Sequence, residues 1–121
     1  MTADEWKRRI KRDCKAVGTY KKQFDGAIDT LAGILEKRDT AEEMFSKTGS
    51  KILVKHTNKA GKENIEQNPA IRLINDLNRD ALQYWRDLGL TPKGLKAINE
   101  EAVKSEKKKQ SALAEALKNL G

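Results

Sequence analysis

Six cations fall within nine residues near the start of the chain: Lys7, Arg8, Arg9, Lys11, Arg12 and Lys15. So many cations without matching carboxylates repel one another unless a polyanion neutralises them, so the chemistry they offer is phosphate contact. The plainer reading of the same run is a solvated face on a short helix. A second run, Lys107-Lys108-Lys109, lies near the other end, where contact with nucleic acid and simple solubility are both open readings. Asp25, Asp29, Glu36, Asp39, Glu42 and Glu43 crowd one stretch, but no histidine or second carboxylate cluster accompanies them, and a solvated acidic face is expected. His56 is the only histidine and has no Cys or His nearby at ligand spacing, which fits an ordinary loop residue. Gly49-Ser50-Lys51 and Ala60-Gly61-Lys62 lack the G-x-x-x-x-G-K-[ST] spacing of a phosphate loop, so no ATP site is expected. The lone Cys14 has no partner for an internal disulfide and reads as a small buried residue. No catalytic residue, cofactor or metal is expected, which leaves binding.

The formal charge of +7 is placed unevenly. Residues 1–22 hold eight Lys and Arg against three Asp and Glu, and residues 104–121 hold five Lys against two Glu. The segments between them are close to neutral. Basic ends around a neutral body suggest an anionic partner, with nucleic acid ahead of a membrane surface. A chain of 121 residues suits one domain with a modest core, and 37% hydrophobic content with only six aromatic side chains suits burial against copies of itself. No apolar run approaches a membrane span, and the charged start lacks the hydrophobic core of a signal peptide, so export is not expected.

The elements that must position these residues read as helices. Thr2 with Glu5 makes a capping box, and Trp6, Ile10, Cys14 (or Asp13) and Val17 give a first helix a narrow apolar stripe. Gly18-Thr19 breaks it. A longer helix is predicted from Tyr20 to Lys47, its apolar face including Phe24, Ile28, Leu31 and Leu35. Gly26 and Gly33 inside it fit close helix contact or simple tolerance equally well. Residues 51–67 read as a short, marginal hairpin or an ordered connection. Asn68-Pro69 is an N-cap followed by proline at the first helical position, and Ile71, Ile74, Leu77, Ala81, Trp85 and Leu88 recur along one face. Gly89 can end that helix in a left-handed conformation, and Thr91-Pro92 opens another that runs to about Leu120. Leu113, Leu117 and Leu120 close the chain as an amphipathic docking segment or a frayed end.

NPAIRLIND followed by LQYWRDLGLTP resembles the small terminase subunits of tailed bacteriophages. The likeness extends upstream through YKKQFDGAIDTLAGILEKRD and so covers about residues 20–98. Members often carry an arginine shortly after the G-L-T-P turn, where this chain has Lys93, Gly94, Leu95 and Lys96. The resemblance implies a protein that forms rings, engages double-stranded viral DNA in the cytoplasm of the host bacterium, and recruits or regulates a large subunit carrying the ATPase and nuclease.

The expectation is an all-α fold of three to four helices with a possible small β-hairpin, assembling into a ring-like homo-oligomer above a tetramer. Residues 1–19 form the basic helix, 20–98 the core and oligomerisation region, and 99–121 a lysine-rich helix or tail. Lys7, Arg8, Arg9, Lys11, Arg12 and Lys15 are the first DNA-contact candidates, and Lys107, Lys108 and Lys109 the second. Phe24, Ile28, Leu31, Leu35, Ile71, Ile74, Leu77, Trp85 and Leu88 are the core and subunit-contact candidates. Leu113, Leu117 and Leu120 are assigned to docking of the large subunit. A dimeric helical DNA-binding regulator and a helical adaptor that never meets nucleic acid are the rivals.

Overall fold

Helix starts and stops encoded in side chains set the architecture of the protein, a computed structural model describing residues 1–120. Gly121, the end of the tail assigned to residues 99–121, lies outside the described residues. Helix α1 spans Ala3–Val17, a single 3-10 turn spans Lys22–Phe24, and α2 spans Asp25–Lys47. Strands β1 (Leu53–Thr57) and β2 (Glu63–Gln67) follow, then α3 (Pro69–Asp87) and α4 (Pro92–Leu120). The fold is all-α with a small antiparallel hairpin.

The second helix begins five residues later than its periodicity suggests. Lys21 is extended, and the Tyr20 hydroxyl donates to Asp25 Oδ1 at 2.9 Å, so Tyr20 leads into the helix from outside. Phe24, expected in the core, therefore sits at the end of the 3-10 turn and is exposed. Val17, the last residue of α1, is also exposed.

Helix α2 is the central element, with α1 on one side and α3 on the other. The core is built from Trp6, Ile10 and Cys14 of α1, Ile28, Leu31, Ala32 and Leu35 of α2, and Ala81 and Leu88 from the α3 side. Ile71, Ile74, Leu77 and Trp85 are only half-buried, and the fully covered positions within α3 are the small Ala70 and Ala81. A Cβ added at Gly26 or Gly33 would meet open space, so close contact with another helix of the same copy is not their reason.

Asn68 is the joint between the helices and the hairpin. Its side-chain oxygen caps α3 by accepting from Ala70 N at 3.1 Å. The side-chain amide donates to Thr48 Oγ1 at 2.8 Å and to the Lys51 carbonyl at 3.0 Å, and its backbone N–H donates to the Ile52 carbonyl at 2.7 Å. One buried residue thus ties the end of α2, the entry to β1 and the start of α3.

A second joint lies at the other end of the bundle. Buried Thr19 donates from Oγ1 to the Leu88 carbonyl at 2.7 Å, linking the α1–α2 connection to the α3–α4 turn. Gly89, with φ of 73°, lies against the Thr19 methyl group, where a Cβ would come within 2.8 Å. Thr91 Oγ1 then accepts from Gly94 N at 3.0 Å and caps α4. Gly94 packs on the Arg86 backbone with no room for a side chain, so it seats α4 on the end of α3. From Asn99 onward every described α4 residue is exposed, and these last turns extend about 33 Å at 1.5 Å per residue.

Asn68→Ala removes a cap and two buried donors at once, and it is expected to cost about 2–3 kcal/mol in urea denaturation. Asn68→Asp keeps the cap acceptor and should fall between that variant and the parent. An alanine variant within about 0.5 kcal/mol of the parent would show that the joint contributes nothing.

Candidate nucleic-acid interface

Helix α1 is well specified at both ends. Thr2 Oγ1 accepts from Glu5 N at 3.2 Å, and Asp4 and Glu5 place negative charge in the first turn, where the helix dipole favours it. Glu36 of α2 reaches across to accept from Ala3 N at 2.6 Å, satisfying another free N–H of that turn. At the other end Gly18, with φ of 78°, donates to the Lys15 carbonyl, and Thr19 N donates to the Cys14 carbonyl at 2.9 Å. These two bonds form the left-handed glycine closure of a helix.

The six cations of α1 separate into inner and outer sets. Trp6, Ile10 and Cys14 face the core, which leaves Lys7 and Lys11 beside α2. Lys7 Nζ lies 2.7 Å from Asp29 Oδ1, and the hydrogen bond to this carboxylate pushes the lysine above its ordinary value. Lys11 Nζ lies 3.7 Å from Asp25 Oδ1 and sits over the Tyr20 ring, as does Lys15. Lys7 and Lys11 are four apart, and so are Asp25 and Asp29. Two antiparallel helices with matched rows bring the pairs together in reversed order, and that signal was available in the spacing.

Arg8, Arg12 and Lys15 occupy the outer side at spacings of four and three, and all three are exposed. Arg12 also approaches its neighbour Asp13 at 3.5 Å. Arg8, Arg9 and Arg12 line a shallow polar recess with Met1 and Glu5. Arg9 has a further role, because its guanidinium lies 5.4 Å from the Trp6 ring centre, and Arg38 of α2 lies at the same distance from that ring. Trp6 Nε1 donates to Asp39 Oδ2 at 2.7 Å, while Arg38 Nη2 and the N-terminal amine also contact this carboxylate, at 3.2 and 3.3 Å. Nothing in the spacing of single residues signals this cluster, which depends on α1 crossing α2 at Trp6.

The other candidates lie elsewhere. Lys107, Lys108 and Lys109 are exposed on the outer part of α4, and at 100° per residue they fan around the helix instead of sharing one face. Leu113, Leu117 and Leu120 do share a strip and are exposed. His56 lies on β1, with Nδ1 3.7 Å from Glu66 Oε1 across the hairpin. Among the described residues, no group of His, Cys, Asp and Glu is arranged to hold a metal ion, and no helix is long and apolar enough to cross a membrane.

The sequence profile of the family described as "Phage terminase, small subunit" matches residues 3–105, from the first turn of α1 into the outer half of α4. The chain belongs to this family. Searches of curated proteins and of solved structures give no match. Family membership assigns the chain a part in phage DNA packaging.

Burial alone would raise the Asp39 carboxyl, but hydrogen bonds from Trp6, Arg38 and the N-terminus together hold it below its ordinary 3.8. The stability this contributes is fully present above the unfolded value and is lost as pH falls through the folded one. Urea midpoints measured from about pH 5 down to about pH 2 should therefore fall less steeply for Asp39→Asn than for the parent. Superimposable pH profiles would show that Asp39 is not the group that matters.

Proposed function

We propose that this protein binds double-stranded viral DNA as a homo-oligomer above a tetramer and recruits or regulates the large terminase subunit in the host bacterial cytoplasm. Its own role in this reading is binding, without catalysis. The observation that carries it is the division of the α1 cations. Of the acidic residues of α2 that reach α1, Asp29 and Asp25 are spent on Lys7 and Lys11, and Glu36 and Asp39 on the first turns. Arg8, Arg12 and Lys15 are left as an exposed row on the outer side. Such a row suits successive phosphates. Contacts of this kind give affinity and position without reading sequence. Arg9 joins it at the edge, and Lys107–Lys109 on α4 are the second contact.

Assembly is supported by apolar surface that one copy leaves open. Ile71, Ile74 and Leu77 are half-covered, and Met44, Leu73 and Leu82 are exposed on the same pair of helices. Leu113, Leu117 and Leu120 are suited to docking of the large subunit, since a strip of leucines on a helix clear of the body fits a groove on a partner.

Binding of random-sequence duplex DNA, followed by fluorescence anisotropy across a salt series, tests the first part. Replacing Arg8, Arg12 and Lys15 with alanine should lower the slope of log affinity against log salt by about 2 to 3 and leave the oligomer's mass unchanged. Replacing Lys7 and Lys11 with methionine should reduce stability more than the salt slope. Affinity of the parent that does not respond to salt would overturn the phosphate reading. A light-scattering mass of a dimer would favour a two-fold regulator instead.

A further inference from the structure

The β-hairpin has no part in the reading above, and it is unusual in how little covers it. Two strands alone are marginal in water, and both outer edges of this sheet present unpaired backbone groups. Ile52, Leu53 and Ile65 are 64%, 60% and 70% exposed, and only Val54 of the two strands is half-buried, so the face that carries Leu53 and Ile65 is left open among the described residues. Asn68 fixes only its base.

The two strands also differ in charge. Strand β1 carries Lys55 and is preceded by Lys51, whereas β2 carries Glu63 and Glu66. Glu66 approaches His56, but among the described residues Lys51, Lys55 and Glu63 have no ion-pair partner. The pairing of Lys55 with Ile65 and of Leu53 with Gln67 puts Leu53, Lys55, Glu63 and Ile65 on one face of the sheet.

We propose that β1 of one copy pairs edge to edge with β2 of the next. This rests on the homo-oligomer reading and adds the contact that sets its direction. Like edges repel, since β1 against β1 sets lysine on lysine and β2 against β2 sets glutamate on glutamate. Unlike edges attract. An antiparallel join shifted by two residues from the internal register sets Leu53 opposite Ile65 of the next copy and Lys55 opposite its Glu63. A shift of two keeps every side chain on its own face. The join therefore brings apolar against apolar and cation against anion on the same side. It is also head-to-tail: each copy has one donor edge and one acceptor edge, so pairs do not close as dimers and the contact propagates around a ring.

Charge exchange tests this in the full chain, with mass read by light scattering and fold by circular dichroism. Lys55→Glu alone and Glu63→Lys alone each place like charges across the join. Each should raise the concentration at which the oligomer forms by about tenfold, given the size of cross-strand charge pairs. The double variant K55E/E63K should recover the parent's assembly, and an equimolar mixture of the two single variants should restore every junction of an even-membered ring and all but one of an odd-membered ring. That recovery also shows that the single variants are folded. A parent that is monomeric at every concentration removes the homo-oligomer reading itself. An oligomeric parent whose assembly is unaffected by either single variant, or is not restored by the double variant and the mixture, overturns the edge pairing alone. Unchanged mass with weaker duplex binding by K55E would overturn it in favour of a hairpin that contacts DNA.

Discussion

A helix carrying six cations in nine residues has to be held on a body by few apolar side chains, and this electrostatic constraint shapes much of the molecule. Trp6, Ile10 and Cys14 are the only fully covered residues of α1. Lys7 and Lys11 would oppose docking if they were left against a neutral surface. Asp29 and Asp25 turn that flank from repulsive to attractive, and Glu36 and Asp39 extend the acidic strip to the start of the helix. Exposed ion pairs contribute little one at a time. The apolar stripe of α1 decides which side faces α2, and these pairs neutralise the two cations that this orientation leaves beside it. Asp25, Asp29, Glu36 and Asp39 are thus an interhelical complement to α1, and only Glu42 and Glu43 of that acidic set belong to a solvated face.

Much of the architecture was legible because it is written in residues with narrow conformational uses. Asn68-Pro69, Gly89 and Thr91-Pro92 state where helices begin and end by sterics and capping alone, and the helices lie where these residues put them. Periodicity was less informative near chain reversals. Phe24 and Val17 continue an apolar pattern by spacing, yet each falls where the helix has not begun or has just ended, so spacing no longer decides which way the side chain points. The candidate interface was legible as a composition but not as a surface. Separating Arg8, Arg12 and Lys15 from Lys7 and Lys11 requires knowing which helix lies alongside, and that depends on contacts more than 12 residues apart.

The two joints of the fold differ in kind. Asn68 works by hydrogen bonds and satisfies three backbone and side-chain partners from one amide. At the opposite end, the Thr19 hydrogen bond to the Leu88 carbonyl is joined by two close approaches, at Gly89 and Gly94, that exist because these glycines have no Cβ. A single chain uses a polar hub where strands meet helices and a close-packed hub where helices meet helices. The first satisfies backbone groups that would otherwise be stranded, and the second sets an angle.

That angle has a mechanical consequence. The part of α4 beyond the Gly94 seat is a stiff arm about 39 Å long, so a rotation of about 8° at that pivot carries Leu120 through about 5 Å. This is close to the rise of one full helical turn, enough to exchange one set of leucine contacts for the next. Small repacking around Arg86, Gly89 and Thr19 is thereby magnified at the far end of the protein, where a partner could register it as a change of grip.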